Sequence, residues 1–222
     1  MTAPAYRLFY SAGACSLAPH IVLEELGVAW EPVAVTIAEG ANRKPEYLAI
    51  NPRGRVPALE YASADGSRRI LTESTAILML LGERHPESGW LPADAEGRIR
   101  VLEFLCWLAT TMHQTGVRTV FRPERFTTAT DPAHHEAIKA AGRATIAPGY
   151  AEIEARLAGG GHAVGNQLTV ADAMLVVHFR WGGRCGYAMR RDYPHYAAHV
   201  DRLMQRPAFA RAVAREGIRL ED

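Results

Sequence analysis

The residue best suited to chemistry is Cys15, set in Ser11-Ala12-Gly13-Ala14-Cys15-Ser16 between a strand-like run and a helix-like run. The start of a helix stabilises a thiolate, so the Cys15 pKa is expected to fall below the ~8.5 of a free cysteine. Leu17 and Ala18 follow two and three residues on, so no resolving cysteine stands at CxxC spacing and disulfide exchange of that kind is disfavoured. A small residue that packs a loop is the competing reading. Thr72-Glu73-Ser74 precedes a helical pattern. The free N–H groups of a helix start suit a carboxylate, the Ser74 hydroxyl adds a donor, and Glu73 can accept from an ammonium. Together they suit an α-amino acid head group; read alone, the segment is equally an ordinary N-cap.

The stretch Asn51-Pro52-Arg53-Gly54-Arg55-Val56-Pro57-Ala58-Leu59 carries a second kind of signal. A trans Val56-Pro57 bond would simply open an edge strand. A cis bond would turn the Val56 N–H and C=O outward, where they could pair with an extended peptide as an added strand does. His113 shares a helical stretch with Thr110 and Gln114, where a lone histidine is as readily a packing or surface residue. The other histidines show no metal-ligand spacing, so no metal is expected.

The elements that must place these residues divide the chain in two. Strands are expected at 6–10, 30–37, 56–61 and 69–72, with Pro32 marking an edge strand and Asp65-Gly66 a turn. Helical patterns are expected at 16–26, closed by Gly27, at 45–50, and at 74–84 with Ile77, Leu80 and Leu81 on one face. That order makes a parallel pair with a right-handed crossover followed by an antiparallel hairpin, a mixed four-stranded sheet with helices on its faces. Residues 86–92 read as a linker, and beyond it only helical patterns recur. The stretch 96–120 carries Ile99, Leu102, Leu105, Cys106 and Leu108 on its apolar side, and Pro123 stops it. The stretch 132–157 is expected to kink or break at Pro148, and 159–161 to be a flexible glycine turn. Residues 170–181 read as a buried central helix, followed by helices over 193–205 and 207–215. Thr169 and Asp172 form a helix-capping box with Leu168 and Ala173 as a staple, a structural feature whose loss should cost roughly 1 kcal/mol, more if buried.

Bulk properties narrow the function. The 222 residues are 48% apolar and 22% charged, enough for a substantial core. A net charge of +1 with dispersed Lys and Arg argues against a nucleic-acid partner. Residues 1–9 lack a basic segment followed by a long apolar run, and no stretch suits a membrane span. The three cysteines, Cys15, Cys106 and Cys185, are widely spaced, so a cytoplasmic protein with reduced thiols is expected.

Taken together these residues resemble the glutathione transferases over essentially the whole chain. The opening Leu8 to His20 is similar to the bacterial beta class, as is the helix around His113 followed by Phe121-Arg122-Pro123. Residues 51–59 resemble the family's cis-proline segment, Thr72-Glu73-Ser74 its γ-glutamyl-binding step, and Thr169/Asp172 its capping box. The resemblance implies a thioredoxin-like domain over 1–85, a linker over 86–92 and an all-helical domain over 93–222 that shapes the pocket for the electrophile. Glutathione would be the co-substrate, its cysteinyl backbone on Val56 at Pro57 and its γ-glutamyl end on Glu73 and Ser74. Cys15 would contact the glutathione sulfur, His113 and Thr110 would line the cleft, and Ser11 would be a second-choice thiolate donor. A homodimer acting on a small electrophile is implied.

The chain also departs from the class. Gln114 replaces the basic residue that commonly follows the histidine, and Cys106 stands where an asparagine often reaches across the dimer. A lysine in the loop after the second strand has no clean counterpart among residues 38–44. Three other readings compete with conjugation. One is a glutathione-dependent thiol reductase working through Cys15; another is a non-catalytic glutathione-binding module. A zeta-type isomerase is disfavoured because Gly13-Ala14 replaces that class's serine pair.

Overall fold

The computed structural model describes residues 4–221; residues 1–3, the start of the segment read for a leader, and residue 222 lie outside it. Alternating apolar residues in Tyr6–Tyr10 (β1) put Leu8 and Phe9 into the interior from opposite faces. β1 pairs in parallel with Trp30–Ala34 (β2) and antiparallel with Ala58–Ala62 (β3), which pairs antiparallel with Arg68–Thr72 (β4). The order β2-β1-β3-β4 leaves Pro32 on an edge strand, where its missing N–H breaks no ladder. β2 is shorter than expected, because single helical turns at Ile37–Glu39 and Ala41–Arg43 follow it. β3 begins at Ala58 rather than Val56, because the Val56-Pro57 peptide just before it is cis.

Leu17–Leu26 (α1) ends on Gly27, whose φ of 63° takes the left-handed turn that glycine allows. α1 lies on one face of the sheet, packed against Ser74–Arg84 (α3). The short Pro45–Leu48 (α2) covers the other face, where Tyr47 joins Phe9, Val35 and Ala58 in a small cluster.

The second half is helical. Ala95–Trp107 (α4) runs into a wide, π-helical stretch at Leu108–Val117 and then Arg118–Phe121 (α5), so the single stretch expected at 96–120 changes winding midway. Threonine hydroxyls punctuate this region. Thr110 Oγ1 donates to the Cys106 carbonyl at 2.9 Å, Thr115 Oγ1 donates to that of Thr110 at 2.9 Å, and Thr119 Oγ1 donates to that of Thr115. The buried stripe is Val101, Phe104, Leu105, Leu108 and Met112. Ile99, 58% exposed, and Cys106 therefore face outward, contrary to the sequence expectation.

Pro132–Leu157 (α6) is continuous through Pro148, which lies on its exposed side where the carbonyl freed at Ala144 faces water. The expected break is absent for that reason. Val170–Arg184 (α7) is buried along nearly its whole length, as its composition implied. Met189–Asp192 (α8), which sequence reading missed, Pro194–Met204 (α9) and Pro207–Arg215 (α10) complete the bundle. α1 packs on α7 and α10, so one hydrophobic core runs from the sheet into the bundle. The fold is thus a thioredoxin-like mixed sheet joined to an all-α domain. Among the described residues no helix is long and apolar enough to cross a membrane.

Candidate functional site

The loop after β1 carries Cys15, and groups from both halves of the chain shape it. Ser16 Oγ donates to the Ser11 carbonyl at 3.1 Å and accepts from the Ser11 N–H at 3.2 Å, closing the loop on itself. Gly13 sits at φ +68°, and a Cβ there would come within 2.5 Å of the Arg180 guanidinium. Its N–H donates to Glu216 Oε2 at 2.8 Å, and its carbonyl accepts from Trp181 Nε1 at 3.0 Å. Glu216 also holds buried His20 through Oε1, at 2.9 Å from Nδ1. The bundle therefore grips the loop two residues before the thiol. These contacts lie 168 and 203 residues apart in sequence, so no local pattern could have revealed them.

Cys15 Sγ lies 3.7 Å from the carbonyl of Val56, the residue before the cis proline, and donates toward it. The segment presenting Val56 is strapped down: Tyr47 Oη and Asn51 Nδ2 each donate to the Arg55 carbonyl at 2.6 Å. Asn42 Nδ2 donates to the Gly54 carbonyl at 2.7 Å, and Arg53 reaches Thr72 Oγ1 at 3.1 Å. Both alternatives for Pro57 were open in the sequence, and the cis one is realised.

Ser74 opens α3 and donates from Oγ to the Cys15 carbonyl at 3.5 Å. Glu73, not Ser74, is the N-cap, and its side chain makes no capping bond. Glu73 holds φ +69°, a conformation costing about 1–3 kcal/mol for a residue with a Cβ, of the kind that clusters at functional sites. Val56, Pro57, Glu73, Ser74 and Cys15 thus converge from three separate segments.

The thiol does not behave as its place in the sequence suggested. Burial pushes the Cys15 pKa up, while hydrogen bonding from Ser74 and the backbone pulls it down; the Glu73 carboxylate raises it and the Arg55 guanidinium lowers it. The net direction is upward, because Cys15 stands before the Ser16 N-cap and its sulfur is packed away from water.

His113 approaches from the π-helical stretch, a widened winding that recurs at functional sites. Its ring lies 4.4 Å from that of Trp181, the side chain that holds Gly13, and His178 packs 5.1 Å from the same indole. Burial and the Arg55 charge press the His113 pKa down to about 4, so the imidazole is neutral near neutral pH. Thr110 is exposed and its hydroxyl is engaged by Cys106, so the structure does not draw it toward Cys15. Ser11 stays half-buried in the loop, held through its backbone. Arg55, Trp181 and Glu216 are the residues of this region that sequence reading did not single out.

Comparison with known proteins agrees with this geometry. Residues 12–84 match the glutathione S-transferase N-terminal domain family, and residues 108–207 match the glutathione S-transferase C-terminal domain family. The chain is 32% identical to glutathione S-transferase GstA of Escherichia coli O157:H7, over 96% of this chain and all of that one. A sphingomonad glutathione S-transferase solved in complex with glutathione is 35% identical, with a TM-score of 0.79 over 96% of this chain and all of that one. A beta-class enzyme from Sphingomonas chungbukensis is 32% identical, with a TM-score of 0.77 over 95% of this chain and 98% of that one. The chain belongs to the glutathione S-transferase family, and within it resembles the bacterial beta class.

Proposed function

We propose that this chain seats glutathione along the segment before β3 and joins its sulfur to a small electrophile that enters from the helical side. The observation that carries the reading is the convergence of Cys15 Sγ on the Val56 carbonyl at 3.7 Å, with Ser74 hydrogen-bonded to the Cys15 backbone. The peptide's cysteinyl N–H and C=O would pair with Val56, whose exposed edge precedes cis Pro57. Its α-carboxylate would take the start of α3 and the Ser74 hydroxyl, and its ammonium would take Glu73. The sulfur then lies beside Cys15, with neutral His113 offering one donor or acceptor from the opposite wall. In the reaction the thiol gives its proton to water, the thiolate attacks the electrophilic carbon, and the leaving group departs with the bonding pair. Ser11 is the alternative donor to the thiolate, and Thr110 takes no part.

In the same reading the division is 1–85, 86–92 and 93–222, and the chain works in the cytoplasm as a homodimer. The outward residues of α4, Ile99 and Cys106, support an assembly that covers them. Intact-mass analysis after incubation with glutathione disulfide, alongside conjugation of a chlorodinitrobenzene by wild type and Cys15→Ala, tests the role of the thiol. A glutathione adduct lost in the variant, with conjugation slowed at least about tenfold, is expected. Conjugation that survives intact in Cys15→Ala sinks the role given to Cys15. Rapid reduction of a glutathionyl disulfide without conjugation points to a reductase, and glutathione binding with no turnover points to a carrier.

A further inference from the structure

A thiolate needs a positive neighbour, and the expected sources in this site do not provide one. The helix that follows Cys15 starts only at Leu17, and its Ser16 N-cap is turned back on Ser11. His113 is held neutral, with its pKa down at about 4. Two arginines flank the turn that presents Val56. Arg53 is tied through its guanidinium to Thr72 Oγ1 at 3.1 Å, toward β4. Arg55 is adjacent to Val56, and its carbonyl is fixed by two short bonds from buried Tyr47 and Asn51. Its exposed side chain therefore leaves a rigid anchor one residue from the carbonyl that meets Cys15 Sγ.

We propose that Arg55 is the cation of the active site, favouring the thiolate of Cys15 in the free protein and of the glutathione sulfur seated beside it. The second half of this statement rests on the glutathione-binding reading above. The charge of Arg55 is felt on both walls of the cleft. It lowers the pKa of the Cys15 thiol and also that of His113, so a positive charge stands within electrostatic reach of residues from both halves of the chain. Glu73 opposes it at Cys15. When the ammonium of glutathione neutralises the Glu73 carboxylate, that opposition is removed and Arg55 acts alone. The site is thus arranged so that the thiolate forms as the peptide binds. The proton released goes to solvent.

Arg55→Gln and Arg55→Lys test this with two readouts. In the free protein, the pH dependence of Cys15 alkylation by iodoacetamide is followed by peptide mass, with exposed Cys106 as an internal reference. In the presence of glutathione, the pH profile of kcat/KM is measured with a chlorodinitrobenzene, and glutathione affinity by calorimetry. Arg55→Gln is expected to raise both midpoints by about one pH unit, slowing each reaction about tenfold below the midpoint. Arg55→Lys should restore most of the shift, and glutathione affinity should change by less than about threefold in either variant. Superimposable profiles in Arg55→Gln overturn the proposal. So does weakened glutathione binding with unmoved midpoints, which would make Arg55 a grip on the peptide's carboxylate. A wild-type chain that binds no glutathione overturns the transferase reading alone, and the alkylation midpoint still decides the effect of Arg55 on Cys15.

Discussion

Acidification should weaken this fold through two buried histidines, and the size of the effect follows from their surroundings. His178 is enclosed in α7 against Trp181, its Nδ1 finds no hydrogen-bond partner among the described residues, and burial presses its pKa down to about 3. His113 is held down to about 4 by burial and by Arg55. Both folded-state values lie below the ~6.5 of an unfolded histidine, so the unfolded chain takes up protons that the fold refuses. Above pH 6.5 neither residue costs anything. As the pH falls through 6.5, each removes stability at about 1.4 kcal/mol per pH unit, until its folded-state pKa is reached. At pH 5 that amounts to about 2 kcal/mol for each residue and about 4 kcal/mol for the pair. His162 works the other way: its hydrogen bond to Asp172 raises its pKa, which adds stability as the pH drops and offsets part of the loss. The decisive quantity is therefore a difference between proteins. His178→Leu removes one titration and the unpartnered nitrogen, so it should be neutral or stabilising at pH 8. Urea unfolding of both proteins, followed by tryptophan fluorescence at fixed protein concentration at pH 8 and pH 5, gives that difference. The variant should lose about 2 kcal/mol less than wild type between the two pH values. Equal losses in the two proteins would refute the reasoning.

Two further predictions concern residues that hold the site in place. Glu216→Ala strips the Gly13 N–H and the His20 ring of their buried acceptor and should cost about 3–5 kcal/mol, lowering the thermal midpoint by roughly 2–4 °C for each. Its KM for glutathione should rise with the slackened loop, and a midpoint within about 2 °C of wild type counts against the clamp. Asp172 accepts from the Thr169 N–H at 2.8 Å and the Ala163 N–H at 2.9 Å, and it lies 3.0 Å from His199 Nε2. Burial pushes its carboxyl up, but the hydrogen bonds from His162 and His199 win and hold it at about 2. The stability it supplies is present above the ~3.9 of an unfolded aspartate and is lost as the pH falls toward 2. Asp172→Asn should therefore cost about 2–3 kcal/mol at pH 7 in a urea titration and far less at pH 2.5; an equal cost at both pH values argues against the ionised cap.

What could be read from the sequence was what local chemistry decides. Gly27 closing α1, the Thr169 and Asp172 capping box, and the junction of β4 with α3 each depend on residues within a few positions of one another. The segment 51–59 announced two conformations and could not choose, because the choice rests on Tyr47, Asn42 and the neighbouring strands. The apolar face expected on α4 was wrong because Ile99 and Cys106 share its sequence period but not its packed side. A hydrophobic period locates a helix and leaves its rotation to the tertiary contacts. The Cys15 pKa moved against expectation for a similar reason. A cysteine near a helix start is visible in sequence, whereas the burial that outweighs the dipole is not.

The manner in which Gly13 is held bears on what the helical half contributes to the chemistry. Its N–H, its carbonyl and the space beside its Cα are occupied by Glu216, Trp181 and Arg180, all from beyond the sheet. Trp181 also carries His113 against its face, so one indole sets both the thiol loop and the imidazole opposite it. A shift of α7 would move both walls of the cleft together and leave the Val56 segment where it is. That segment is anchored on the sheet side, by Tyr47, Asn51 and Asn42. The thiol therefore sits at the junction of two independently braced bodies. The distance from Cys15 to Val56 is set by how α1 packs on α7 and α10, rather than by the loop that carries the cysteine.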